Sequence, residues 1–176
     1  MKKVSHSKPH RVLFLIGAAA VLAGAVILSF LAGRKLLRDY RRWQLMKNNV
    51  VIEIPALDIK APVLEGTDNE VLSKAAGHFP DTGALGQGNY CIAAHSSTIY
   101  KEYFNDLRDV KNGMKIKLYD TDKNLYTYYV TGTFIVDPDE TWVLDDAKDV
   151  RVTLVTCTDD GSQRRIVVAK PKKEDG

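Results

Sequence analysis

Residues 12–32, VLFLIGAAAVLAGAVILSFLA, run for 21 positions without a charged side chain. As a helix rising about 1.5 Å per residue, such a run is about 30 Å long, the thickness of a bilayer's hydrocarbon core. The remainder of the 176-residue chain has room for one ordinary domain. A cleaved signal peptide carries an apolar stretch of only about 7–15 residues, followed by a small-x-small site. Here the triplet Ala23-Gly24-Ala25 lies inside the run. The segment therefore reads as an uncleaved transmembrane anchor.

The charges divide around it. Residues 1–48 hold ten Lys and Arg against one acid, Asp39; of the 25 basic and 22 acidic residues in the chain, fifteen and twenty-one remain for residues 49–176. The N-terminal part is thus about +9 and the rest about −6, and the overall +3 conceals the split. An acidic folded part excludes a basic nucleic-acid surface. Lys2, Lys3, Lys8 and Arg11 precede the apolar run, while Arg34, Lys35, Arg38, Arg41 and Arg42 follow it. The flanks are balanced, so the positive-inside rule does not choose an orientation. Over residues 33–48, Leu36, Leu37, Tyr40, Trp43 and Met46 fall three or four apart with arginines between them. That spacing predicts an amphipathic juxtamembrane helix.

From residue 49 the texture changes to short alternating runs punctuated by Pro and Gly. VVIEIPALDIKAPVLEG, YCIAAHS, MKIKLYD, LYTYYVTGTFIVD, VRVTLVTC and QRRIVVAK read as strands, with TDKN as a hairpin turn. EVLSKAAGHF reads as a short helix, YFNDLRDVKNG as a short helix or turn ending at Gly113, and PDTGALGQGN as a Gly-rich loop. Seven or eight short strands with brief helices predict a mostly-β domain, a closed or nearly closed barrel or a sandwich.

Three side-chain types stand where chemistry is possible. Cys157 ends an apolar strand and opens a loop, a place where a thiol is held rigidly yet reachable. Of four histidines, His95 alone also ends an apolar strand. An imidazole near a thiol takes its proton and later protonates a leaving amine. Arg164 and Arg165 begin the last strand, and alternation lets only one of them face the wall that carries Cys157. A guanidinium there would stabilise an oxyanion. Set against these readings are a core cysteine, a strand-capping histidine and solvated arginines. The second cysteine, Cys91, reads as a small buried hydrophobe, with a disulfide to Cys157 left open. Two cysteines make no four-ligand metal set, TGALGQG lacks the Lys-Ser/Thr of a phosphate loop, and Asp58, Asp81, Asp159 and Asp160 are scattered. No cofactor and no metal are expected.

Taken together, IEIPALDIKAPVLEG (52–66), GHFPDTGALGQGN (77–89), GNYCIAAH (88–95), TLVTC (153–157) and RRIVVA (164–169) resemble, in order, the motifs of the sortase family, the membrane-anchored cysteine transpeptidases of Gram-positive bacteria. The resemblance covers about residues 51–170. It implies a closed eight-stranded β-barrel with short helices behind one transmembrane helix, divided as a cytoplasmic tail (1–11), an anchor (12–32), a linker (33–48) and a catalytic domain (49–176). It also implies Cys157 as nucleophile, His95 as general acid/base and Arg164 as oxyanion or substrate stabiliser, with Arg165 the runner-up. Thr156 and Leu154 would shape the substrate groove. The implied substrates are secreted surface proteins bearing an LPxTG-like C-terminal motif, cleaved after Thr through a thioacyl-enzyme and passed to an amine of a peptidoglycan precursor. Lipid would contact residues 12–32, and the barrel would lie outside the cell.

Two departures narrow the expectation. KPKKEDG ends the chain without a second apolar segment, and no aspartate-aromatic lid sequence lies between the anchor and Val50. Wall anchoring of a class D-like or class A-like kind is therefore expected over pilin polymerisation onto lysine. The clustered acids that hold Ca²⁺ in some members are not evident before His95. A non-catalytic, membrane-tethered barrel that binds a partner is the rival from another class. The L,D-transpeptidase pattern, with His two residues before Cys, fails at Val155.

Overall fold

The computed structural model describes residues 8–97 and 103–172. The tail at residues 1–7 and the final residues 173–176, to which part of the reading above refers, lie outside the described residues. The chain falls into two compact units, residues 1–43 and 44–176.

In the first unit, the apolar run and the segment after it form one helix, α1 (Lys8–Asn48). Its mean hydropathy reaches 2.6, and it is long and apolar enough to cross a membrane. Val12, Leu13, Phe14, Leu22, Leu28 and their neighbours are all exposed. A helix apolar on every side and uncovered by protein suits lipid as its solvent. Further on, Tyr40 and Trp43 stack at 6.1 Å.

The second unit is a closed barrel of eight strands. They are β1 (Val50–Ile54), β2 (Ile59–Glu65), β3 (Ala76–His78), β4 (Asn89–Ala93), β5 (Lys115–Tyr119), β6 (Leu125–Val136), β7 (Arg151–Cys157) and β8 (Arg164–Lys170). Around the barrel the order is β1-β2-β3-β4-β7-β8-β6-β5, closing on β1. Closure leaves no strand edge to pair with another chain. The β2–β3 and β4–β7 pairs are parallel and the others antiparallel.

Period-two patterning explains which side chains fill it. Ile52, Ile54, Ala61, Val63, Ile92, Ile116, Leu118, Tyr128, Leu154, Val167 and Ala169 form the interior. Between them, Glu53 faces outward opposite Lys60 and Lys117, at 3.6 and 3.8 Å. These partly exposed pairs fix register more than they add stability. β4 is buried along its whole length and β7 nearly so. Both faces of that parallel pair are therefore covered, and a second apolar cluster of Val143, Val155 and Ile166 forms on the outer side.

The region 70–79 departs from expectation. In place of one short helix there is a single turn, α2 (Asn69–Leu72), capped by the Asp68 carboxylate at 3.0 Å, followed by β3. His78 is consequently a strand residue. Gly77 explains the change: a Cβ there would stand 2.1 Å from the Gly66 carbonyl oxygen, so only glycine lets β3 approach so closely. The other segments read as strands above form as expected, with a 3₁₀ turn, η1 (Pro55–Leu57), between β1 and β2, and 105–109 is a single 3₁₀ turn, η2 (Asn105–Asp109).

Candidate active site

β7 ends on Cys157, and in the antiparallel register Cys157 stands directly opposite Arg164, while Thr156 stands opposite Arg165. Directly opposed residues project from the same face of a sheet. Arg164 therefore shares a face with Cys157, and Arg165 faces the other way. Both Cys157 and Arg164 are half-buried.

β4 runs parallel to β7 on the other side, with Cys91 beside Thr153 and Ala93 beside Val155. The ladder goes on past the end of β4, where Ala94 N–H donates to the Val155 carbonyl at 3.2 Å. Two residues beyond the Ala93–Val155 pair, the same register sets His95 beside Cys157. Two side-chain bonds lock the junction. The Thr156 hydroxyl donates to the Ala94 carbonyl and the Ser96 hydroxyl donates to the Cys157 carbonyl, both at 2.7 Å. The His95 carbonyl in turn accepts from Phe104 N–H at 3.1 Å, tying the strand end to η2. Cys157, His95 and Arg164 are thus brought together at one end of the barrel, on its outer face.

The Arg164 guanidinium donates to the Gly161 and Gln163 carbonyls of the β7–β8 loop, at 3.3 and 3.1 Å. That loop is held by its own bonds. Asp160 accepts from Thr158 Oγ1 at 2.6 Å and from Ser162 Oγ at 2.8 Å, which depresses its carboxyl to about 2. Asp159 meets Arg108 of η2 at 3.1 Å, and Gln163 Nε2 donates to Asp137 at 3.0 Å.

Beside this cluster lies an open cavity of about 220 Å³. Val155 and Ile166 form its floor, Arg164 one edge, and Thr141, Val143 and Leu144 one wall. The wall belongs to residues 137–150, between β6 and β7, which contain a 3₁₀ turn, η3 (Thr141–Leu144). A largely apolar trough edged by a guanidinium that shares a sheet face with Cys157 suits an extended peptide.

The structure corrects two further expectations. Leu154 is 0% exposed inside the barrel, and Thr156 is buried with its hydroxyl on Ala94. Neither reaches the groove, because both alternate away from Cys157 along β7. The possible disulfide is also absent: both cysteines are free. Cys91 sits opposite Thr153, four residues before Cys157, which at about 3.3 Å per residue is about 13 Å away along the strand and beyond bridging range. Ser96 and Asn89, the latter described below, were not singled out from sequence. A hydroxyl beside His95 and an Asn opening a buried strand were the available signals.

Burial pushes the Cys91 thiol up to about 11 from 9.0, against the opposing pull of the Thr82 and Thr153 hydroxyls and of Arg151. Cys91 is thus a neutral, enclosed thiol at pH 8. Iodoacetamide is expected to label one site per native chain, Cys157, with Cys91 reacting only after unfolding; peptide mapping by mass spectrometry distinguishes the two. The sign for stability follows. Below pH 9 the neutral thiol costs nothing, whereas between 9 and 11 only the unfolded state ionises, so native stability falls as pH rises through that window. Denaturant midpoints of the wild type and Cys91→Ala should diverge there.

Among the described residues there is no group of three or more His, Cys, Asp or Glu side chains placed to hold a metal ion.

The geometry can be set against known proteins. The family model for the sortase domain matches residues 52–172. The chain belongs to the sortase family. It is 36% identical over 118 residues to sortase A of Bacillus anthracis, covering 66% of this chain and 56% of that one. Among solved structures, sortase A of Listeria monocytogenes superposes with a TM-score of 0.67 at 32% identity, covering 72% of this chain and 88% of the other. A Clostridium perfringens sortase D5 transpeptidase gives 0.65 at 30% identity, with 76% and 88% covered. The chain spans about half the length of the sequence relatives it matches. The eight-stranded barrel described above is the sortase fold.

Proposed function

We propose that this sortase is a membrane-anchored cysteine transpeptidase that cleaves an LPxTG-like sorting signal after Thr and transfers the protein to an amine of a cell-wall precursor. The observation that carries the reading is the register that sets Arg164 opposite Cys157 and the end of β4 beside it, with Arg164 also edging an apolar groove. We assign residues 1–11 to the cytoplasm, 12–32 to the anchor, 33–48 to a linker and 49–176 to an extracellular catalytic domain.

In the proposed reaction the Cys157 thiolate attacks the Thr carbonyl while the motif's preceding residues lie over Val155 and Ile166. Arg164 exchanges the Gly161 and Gln163 carbonyls for the developing oxyanion, where a fixed positive charge is worth most. His95, as imidazolium, protonates the departing amine as the peptide C–N bond breaks and leaves a thioester. In the second half, neutral His95 accepts a proton from the incoming amine as it attacks the thioester, and the thiolate departs. An amine outcompetes water only if it is bound or concentrated beside the thioester, which anchoring at the membrane near its precursor would provide.

The test uses the full chain in detergent micelles with an LPxTG-type peptide library and, in parallel, triglycine, diaminopimelate and lysine amines. Mass spectrometry should find the peptide joined through its Thr to a triglycine or diaminopimelate amine. Transfer only to the lysine side chain would make the protein a pilin polymerase, and no cleavage of any library member would overturn the reading.

A further inference from the structure

The groove wall at residues 137–150 packs on the outer face of the barrel through Val143 and Leu144 and leaves a space along the rest. Behind it lies a cavity of about 300 Å³, lined among others by Asn89, Phe134, Asp145, Arg151 and Thr153. Close packing therefore does not seat this segment along its length. Val143 reaches the apolar cluster with Val155 and Ile166, and Trp142, 54% exposed, stacks on Phe134 at 5.7 Å.

One buried polar side chain spans the gap. Asn89, at the start of β4 and 3% exposed, donates from its amide nitrogen to the Val143 and Asp145 carbonyls, both at 3.0 Å. Its amide oxygen accepts from the Thr153 hydroxyl at 2.6 Å, which fixes the orientation of the amide. Both donors are thus spent on the backbone of one loop, on either side of Leu144. The adjoining Gly88 permits the close approach of the segment. Its φ is +60°, and a Cβ there would stand 2.8 Å from the Asp146 carboxylate. The 137–150 segment is set at a fixed height over β4 and β7 from this end.

We propose that Asn89 is a positioning residue for substrate recognition: through Val143 and Asp145 it sets the wall of the groove, and so the affinity for the motif residues that precede the scissile Thr. Asn89 is far from the bond that breaks, four residues before Ala93 on a strand whose end carries His95. Its loss should therefore weaken binding and spare the chemical step. The inference rests on the reading of the groove as a sorting-signal site.

The test compares full-length wild type, Asn89→Ala, Asn89→Asp and Thr153→Val. Losing both donors should raise KM for the sorting peptide about ten-fold or more, with kcat held within about three-fold. Asn89→Asp, which turns a carboxylate on two carbonyls, should be at least as severe as Asn89→Ala. Thr153→Val keeps the donors but frees the amide, and should give a smaller rise in KM. The rate at which iodoacetamide labels Cys157 should not change, whereas a general loosening of the fold would move it. Hydrogen exchange at amides 141–147 gives a readout independent of turnover and should quicken in Asn89→Ala. Unchanged exchange would overturn the anchoring role, and faster exchange with unchanged KM would overturn the role in recognition. If wild type turns over no peptide, the sorting-signal reading itself fails and the role in recognition falls with it, while exchange still decides the anchoring.

Discussion

In the Cys157→Ala protein, transfer of a sorting peptide to an amine is expected to fall to background, a loss of at least about 10⁴-fold. The other thiol, Cys91, does not substitute for it, being buried, neutral and four residues away in register. His95→Ala should lose about 10²–10⁴-fold, the usual worth of a positioned proton carrier. The double variant should be no slower than Cys157→Ala, because an imidazole without a nucleophile has no proton to move. Steady-state transfer rates of the three proteins, measured beside circular dichroism to confirm the barrel, decide the matter. Should His95→Ala retain more than about a tenth of wild-type activity, the proton carrier is another group and the assignment of His95 is wrong.

The second large effect separates two adjacent arginines. Arg164→Ala should lower kcat about 10²–10³-fold, the range found when one oxyanion donor is removed. Arg165→Ala should change it by less than about three-fold, since Arg165 lies opposite Thr156 on the face turned away from Cys157. Arg164→Lys should recover only part of the loss, because an ammonium offers a point charge in place of a planar fork of donors. The reverse ranking of the two alanine variants would move the oxyanion role to Arg165. Arg164 also holds the Gly161 and Gln163 carbonyls, so a lower melting temperature is expected alongside the rate effect.

Much of this barrel was legible in the sequence because its strands obey simple alternation. Ile52 and Ile54 inside with Glu53 outside, or Ile116 and Leu118 inside with Lys117 outside, are period-two patterns that need no partner to be read. The strand-end positions of Cys157 and His95 were legible for the same reason. The β3 region was not: a three-residue strand is too short to show a period, and its conformation depends on the contact of Gly77 with Gly66. Leu154 and Thr156 were placed on the groove through their membership of a motif. The alternation along β7 already pointed them inward, since Cys157 and Val155 occupy the other face. The choice between Arg164 and Arg165 turned on strand register, which depends on a hairpin whose turn carries several polar residues. Asn89 offered only its place at the start of a buried strand, because its hydrogen-bond partners lie in a loop more than fifty residues further along the chain.

The parallel pairing of β4 with β7 has a consequence for the order of events in the life of the chain. The residues it joins are far apart: the Thr156–Ala94 bond closes a sequence separation of 62 residues, with the β5–β6 hairpin made in between. Local hairpins form in microseconds, whereas non-local parallel pairings carry the entropy of closing a long loop and come late. During synthesis His95 precedes Cys157, and neither has its neighbour until the last two strands have emerged and docked. The topology itself thus defers the meeting of Cys157, His95 and Arg164 to the last stage of folding.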